Sequence, residues 1–195
     1  MNHVFQNMAD RRSIREYSDQ PLPEDVLHQI IDAGYTSPNA GNKQLLRMVV
    51  CENAQINDRL GKLRMMVIKK FWWPKEGEEF TFTDEELDNT TEENSFYGAP
   101  CVVYLFSKKD FEFAEGDAYI MSNSLCLAAR ALDVGSCVIS VPTDYFLVDS
   151  AKQILKDWGI PEDYSIRAHT TLGYPKNGFP DAVKHDLYLP PLYVK

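Results

Sequence analysis

Long apolar runs, glycine-rich phosphate loops, metal-ligand spacings and closely paired cysteines are all missing from this 195-residue chain, and each absence removes a class of function. No stretch approaches the ~20 consecutive apolar residues of a membrane-spanning helix. The start, "MNHVFQNMADRRS", lacks the apolar core of a secretory leader, so a soluble, cytoplasmic protein is expected. Neither GxGxxG nor GxxxxGK[ST] occurs, so a nucleotide, if one binds, must be held by side chains. His3, His28, His169 and His185 have no ligand spacing, which leaves metal catalysis without support. Cys51, Cys101, Cys126 and Cys137 form no CxxC pair and sit in apolar runs such as "PCVVYLF" and "SCVISV", the setting of small buried thiols. Basic charge is scarce as well: 20 Lys and Arg stand against 29 Asp and Glu, for a net charge of -9. That balance excludes the broad cationic surface that nucleic acid requires.

What the chain does have is core material, with 44% hydrophobic and 12% aromatic residues, enough for one ordered domain over residues 1–195. Its charge is unevenly spread. Between Glu76 and Asn94 there are nine acidic residues and no basic one, whereas the first 75 residues carry eleven Lys and Arg against eight Asp and Glu. An anion site is therefore electrostatically reasonable near the N-terminus.

Hydrophobic spacing predicts a short helix over 3–11 and a stronger one in "LPEDVLHQIIDAGYTS", where proline, first-turn acids and an apolar face coincide. "SPNAGNKQ" reads as a loop and "RMVVC" as a buried strand. "NDRLGKLRMMVIKKF" returns to helical spacing. Residues 72–95 mix aromatics with dense acid and read as a lid-like excursion. Beyond it come the strand "APCVVYLFS", a central helix from Asp117 with Gly135 as its stop signal, the strand "SCVISV", the helix "DSAKQILKDWGI" and a last strand "SIRAHTTLGYP". The tail from Phe179 is apolar enough to require a covering surface, such as a second subunit. The sum is an α+β chain with about four strands and five or so helices.

The densest chemical signal is "RRSIRE". If this piece is extended, Arg11, Ser13 and Arg15 face one way, so two guanidiniums and a hydroxyl can converge on one phosphate. Taken alone the fragment reads more readily as solvated surface. Together, "RRSIREYSDQPLP", the helix after it, "SPNAGNKQ", "GAPCVVYLF", the Asp117–Gly135 helix and the closing "LGYP" resemble the nitroreductase-like flavoprotein family in order and approximate spacing, over roughly residues 6–178.

The resemblance implies a mostly antiparallel central sheet flanked by helices, and a homodimer completed by the C-terminal tail. It also implies FMN at the subunit interface, with electrons passing from NADH or NADPH to a small acceptor such as a nitroaromatic, quinone or flavin by a ping-pong mechanism. Under it, Arg11, Ser13 and Arg15 match contacts to the FMN phosphate, the ribityl chain and the N1/C2 edge of the ring, and Arg12 matches the intervening position. Pro38, Asn39 and Ala40 match residues that a partner subunit places against the ring, while Asn42 and Gln44 match polar anchors of that loop. Pro142, Thr143, Asp144 and Tyr145 match the segment whose backbone amides approach flavin N5, and Lys184 falls near a C-terminal phosphate clamp. The flavin performs the chemistry, so no catalytic side chain is assigned and no metal is implied.

Several departures accompany the match. Leu45 and Leu46 replace a common Pro-Trp, and Tyr145 replaces a common glycine, where its side chain is expected to narrow the substrate site. Trp72, Trp73, Phe80, Phe82 and Phe96 are candidates to cover the flavin face, with ordinary packing as the alternative. The acidic 76–94 segment disfavours polyanions and points to NADH over NADPH. Three rival readings stay open: a flavin-binding module with little turnover, an acidic-surface protein that accepts electrons from a basic redox partner, and an α+β domain with no cofactor.

Overall fold

The apolar run "CVVYLF" forms the centre of the molecule because it is buried on both faces of a sheet. In the computed structural model, which describes residues 2–74, 77, 79–182, 189 and 191–194, this run is β2 (Cys101–Lys108). Its alternate residues Val102, Tyr104 and Phe106 enter one core. Cys101, Val103 and Leu105 enter the other. Each such large side chain contributes about 1.5–3 kcal/mol on burial. A strand that is apolar on both sides needs two covering layers, and the helices supply them.

Four strands form one antiparallel sheet in the order β1-β2-β4-β3, where β1 is Arg47–Cys51, β3 is Gly135–Ser140 and β4 is Tyr164–Gly173. One face is covered by α2 (Glu24–Tyr35) and α5 (Ala114–Ala131). Residues of α3 (Ala54–Trp72), α4 (Asp84–Asp88) and α6 (Asp149–Asp157) build the core on the other. The N-terminal helix α1 (His3–Asp10) sits against α5, where the Asn7 side-chain amide donates to Leu127 O. No helix among the described residues is long and apolar enough to cross a membrane.

Local chemistry explains the boundaries. Asn53 caps α3 by accepting from Gln55 and Ile56 N–H, so this helix starts three residues before the expected Asn57. The central helix runs from Ala114 instead of Asp117 and ends before Gly135, the chain turning at Asp133 with φ 55. Gly135 opens β3 instead of stopping the helix. A Cβ on it would lie 2.9 Å from both Gly173 O and Ile14.

The acidic stretch is less lid-like than its composition suggests. Thr83 and Glu86 form a capping box for α4. Leu87 is buried, Arg59 pairs with Asp84 and Asp88, and Asp84 also accepts from Ser150 at the start of α6. The Ser150 bonds, and then Arg59, hold the Asp84 carboxyl below its usual range. Phe96 is fully buried against Tyr104 and His169, so it belongs to the core and does not cover a flavin face. Trp72, Trp73 and Phe80 stay exposed, and Phe82 is half-buried.

Candidate functional site

The segment after α1 is extended. Ser13 makes a parallel bridge to Ser136, and Ile14 N–H donates to Ser136 O at 2.9 Å. Alternation then sorts the side chains. Ile14 is buried in a small cluster with Tyr17 and Ala99. Arg12, on the same side, donates through Nε to Asp181 O at 3.1 Å and through Nη1 to Arg11 O at 2.7 Å, with Nη2 buried and unpartnered. Arg12 is thus turned toward the C-terminal segment.

Arg11, Ser13 and Arg15 alternate with Arg12 and Ile14 along the extended segment, and all three bear electrostatically on the Cys137 thiol of β3. Burial pushes the Cys137 thiol up, and Arg15, Ser13 and Arg11 act in the opposite direction. Burial likewise pushes Cys126 up to about 11, against Ser136 and Arg11. Ser13 and Arg15 are exposed and Arg11 is half-buried, so two guanidiniums and a hydroxyl are open to solvent beside these thiols.

The strand bridged to this segment also carries the second part of the site. β3 is the edge of the sheet, and its last residue, Ser140, leads into Val141–Tyr145. Thr143, Asp144 and Tyr145 N–H find no acceptor among the described residues. Asp144 folds its carboxylate back to accept from Phe146 N–H at 3.1 Å, and residues 141–144 are half-buried. Tyr145 departs from expectation. Its side chain is 1% exposed and its hydroxyl meets His169 Nε2 at 2.8 Å inside the core. It therefore does not narrow an open site.

The "SPNAGNKQ" loop is built for rigidity. Ala40 N–H donates to the buried Asp117 carboxylate of α5 at 2.9 Å, and Ser37 Oγ bonds Ser124 Oγ at 2.8 Å. Asn39 Oδ1 accepts from Gln44 N–H, and Asn42 Oδ1 from the Gln44 side chain. Gly41, Asn42 and Gln44 all take positive φ, so the tip is a tight turn stiffened by its own polar side chains. Beside it lies a cleft of about 670 Å³ lined by residues including Tyr35, Pro38, Asn39, Leu45, Leu46 and Met121. Lys184 lies outside the described residues.

Two contributors escaped the sequence reading. Asp117 looked like a helix-start acid, and nothing local tied it to residue 40. Arg64, on the face of α3 turned to the core, is 7% exposed and donates to Ser140 O at the end of β3.

The nitroreductase family model matches residues 8–174. The chain belongs to the nitroreductase family. Among curated relatives, a protein from Archaeoglobus fulgidus whose name assigns it, by inference, NADH dehydrogenase/NAD(P)H nitroreductase activity is 28% identical over 177 residues, covering 91% of this chain and 88% of that one. An FMN reductase [NAD(P)H] from Bacillus subtilis is 32% identical over 63 residues, 32% of this chain and 25% of its own. Among solved structures, a nitroreductase with bound FMN from Bacteroides fragilis superposes with a TM-score of 0.78 at 22% identity, each chain covered in full. The nitroreductase fold expected from the sequence is the fold observed.

Proposed function

We propose that this nitroreductase-family chain is an FMN-dependent oxidoreductase. In this reading it accepts electrons from NADH or NADPH and delivers them in a ping-pong cycle to a small acceptor such as a nitroaromatic, quinone or flavin. The observation that carries it is the layout of β3. The segment carrying Arg11, Ser13 and Arg15 is bridged to β3 at Ser136; Ser140 lies about 13 Å further along the same edge strand at ~3.3 Å per residue, and beyond it come three backbone amides with no acceptor among the described residues. A cofactor with a phosphate at one end and a ring that accepts hydrogen bonds at the other matches both ends. The relatives named for FMN and NAD(P)H agree with that match.

Each group then has a separable task. Arg11, Ser13 and Arg15 hold the phosphate end through charge-assisted hydrogen bonds, with Arg15 reaching the N1/C2 edge. The amides of Thr143, Asp144 and Tyr145 orient the ring at N5. FMN, when bound, supplies hydride transfer, and the protein supplies proximity and electrostatics. Pro38, Asn39 and Ala40, stiffened by Asn42 and Gln44, close the site of a second protomer, which makes the functional unit a homodimer. The rival of a module with little turnover rested on the Tyr145 side chain and the acidic segment together blocking nicotinamide, and the burial of Tyr145 removes the first of these grounds. An acidic-surface protein fed by a basic redox partner would lose activity with rising salt while keeping FMN.

The test is a visible spectrum of the purified, desalted protein, followed by anaerobic NADH addition. A flavin band that bleaches is expected. Arg11→Ala and Ser13→Ala should each weaken FMN binding by about 1–3 kcal/mol, read by equilibrium titration of the apoprotein. Unchanged binding in both variants removes the phosphate assignment.

A further inference from the structure

Arg64 is the buried cation that the site as described leaves unused. It projects from α3 into the core beneath the β3 edge, 7% exposed. Its Nη2 donates to Ser140 O, and its Nε is buried with no partner. Among the described residues, the ionisable groups that act on it are Tyr145, Tyr97 and Tyr119, with His169 in turn feeling its charge, and no carboxylate is among them. This is an unusual arrangement. A buried charge without a counter-ion costs several kcal/mol unless an anion arrives to compensate it. Two other arginines, Arg59 and Arg130, do take carboxylates: Arg59 has two and Arg130 has Asp133.

We infer that Arg64 is a positioning residue that holds the Ser140–Tyr145 turn and favours the reduced state of a cofactor seated against it. The inference rests on the flavin reading and deepens it. Hydride transfer from NADH moves two electrons and one proton onto the ring and leaves NAD+, so the ring gains negative charge. A fixed cation nearby, lacking a carboxylate of its own, stabilises that gain more than it stabilises the neutral oxidised ring. The Ser140 bond keeps the guanidinium and the turn in register. A neutral side chain of similar reach would keep the packing and lose the charge.

The measurement is the midpoint potential of bound FMN against a reference dye, paired with the dissociation constant of oxidised FMN, in wild type, Arg64→Gln and Arg64→Lys. For Arg64→Gln the ratio of reduced to oxidised flavin at fixed dye potential should fall about tenfold, a shift of about 30 mV for a two-electron couple. Oxidised FMN affinity should change less than about threefold, since the charge acts on the reduced ring. A potential that stays put, whatever happens to affinity, overturns the inference and leaves the flavin reading intact. If Arg64→Gln does not fold, Arg64→Lys decides. A buried lysine loses its proton at lower pH than arginine, so the potential of this variant should drop below wild type as pH rises from 7 to 10, and parallel pH profiles overturn the assignment. A wild-type protein that retains no FMN overturns both readings together.

Discussion

Among single residues, His169 makes the interior sensitive to pH. Its Nε2 lies 2.8 Å from the Tyr145 hydroxyl and its Nδ1 3.4 Å from Ile139 O. A neutral ring satisfies both, with Nδ1–H donating to the carbonyl and Nε2 accepting from the phenol. Protonation would turn Nε2 into a donor against that phenol. Burial above all, and then the Arg64 charge, push the imidazole well below its ordinary value. The sign follows. The unfolded chain takes up a proton near pH 6.5 that the folded chain refuses, so stability is full above that pH and is lost as pH falls below it. Wild type should lose stability as pH falls below about 6.5, at a slope that rises toward, and does not exceed, about 1.4 kcal/mol per pH unit on account of this one group. His169→Gln should flatten that slope in chemical denaturation at matched pH values; an unaltered slope would mean that the ring is charged in the folded state. This pairing was hidden in the sequence, because nothing in the spacing of residues 145 and 169 announces a contact. The alternation of Arg11, Ser13 and Arg15 was legible because it needs only an extended backbone. For Tyr145 and Phe96 no local rule decides whether the side chain turns outward or inward.

For whole elements, the loop at 37–44 depends on α5. Asp117 is buried, its carboxylate accepts from Ala40 N–H, and three residues of the loop occupy positive φ. The loop is therefore held in a backbone conformation that it would leave if released. Asp117→Ala should cost about 1.5–3 kcal/mol of stability, the range for a hydrogen bond to a charged group. It should also raise the amide exchange rate at Ala40 far more than rates within β2, and loosened FMN retention should accompany it. Equal protection at Ala40 in the variant would show that the Asn39, Asn42 and Gln44 bonds hold the loop unaided. Element type was legible almost throughout, since "RMVVC" is the strand β1 with the expected bounds, although it is an edge strand in which only Cys51 is buried, and the α2 signals of Pro23, Glu24 and Asp25 mark its true start. The error lay in residues 84–88. Their acid content suggests solvent, but Leu87 and the Arg59–Asp84–Ser150 contacts dock them on the body. Composition cannot show where an acid finds its partner when that partner lies 25 or 66 residues away.

For the molecule as a whole, the exposed apolar surface is too large to leave in water. Val4, Phe5 and Met8 of α1, Tyr119 and Ile120 of α5 and the neighbouring Phe113 are exposed, and so are Leu189, Leu192, Tyr193 and Val194 of the tail, each more than four-fifths exposed. A single protomer with such a surface would tend to associate. If the loop at 38–40 completes a partner's site, association and FMN binding are linked, and each must strengthen the other by the same factor. The fraction of protein that retains FMN should then fall on dilution along with the dimer fraction, and excess FMN should draw the dimer back. Ending the chain after Ala182 keeps the Asp181 carbonyl that Arg12 grips while removing the exposed tail, so this shortened chain should dissociate at higher concentration and lose flavin in step. Sedimentation equilibrium followed through both protein and flavin absorbance checks the linkage directly. Monomers that keep FMN at full occupancy would place the whole cofactor site on one chain and leave the "SPNAGNKQ" loop without its role in a partner.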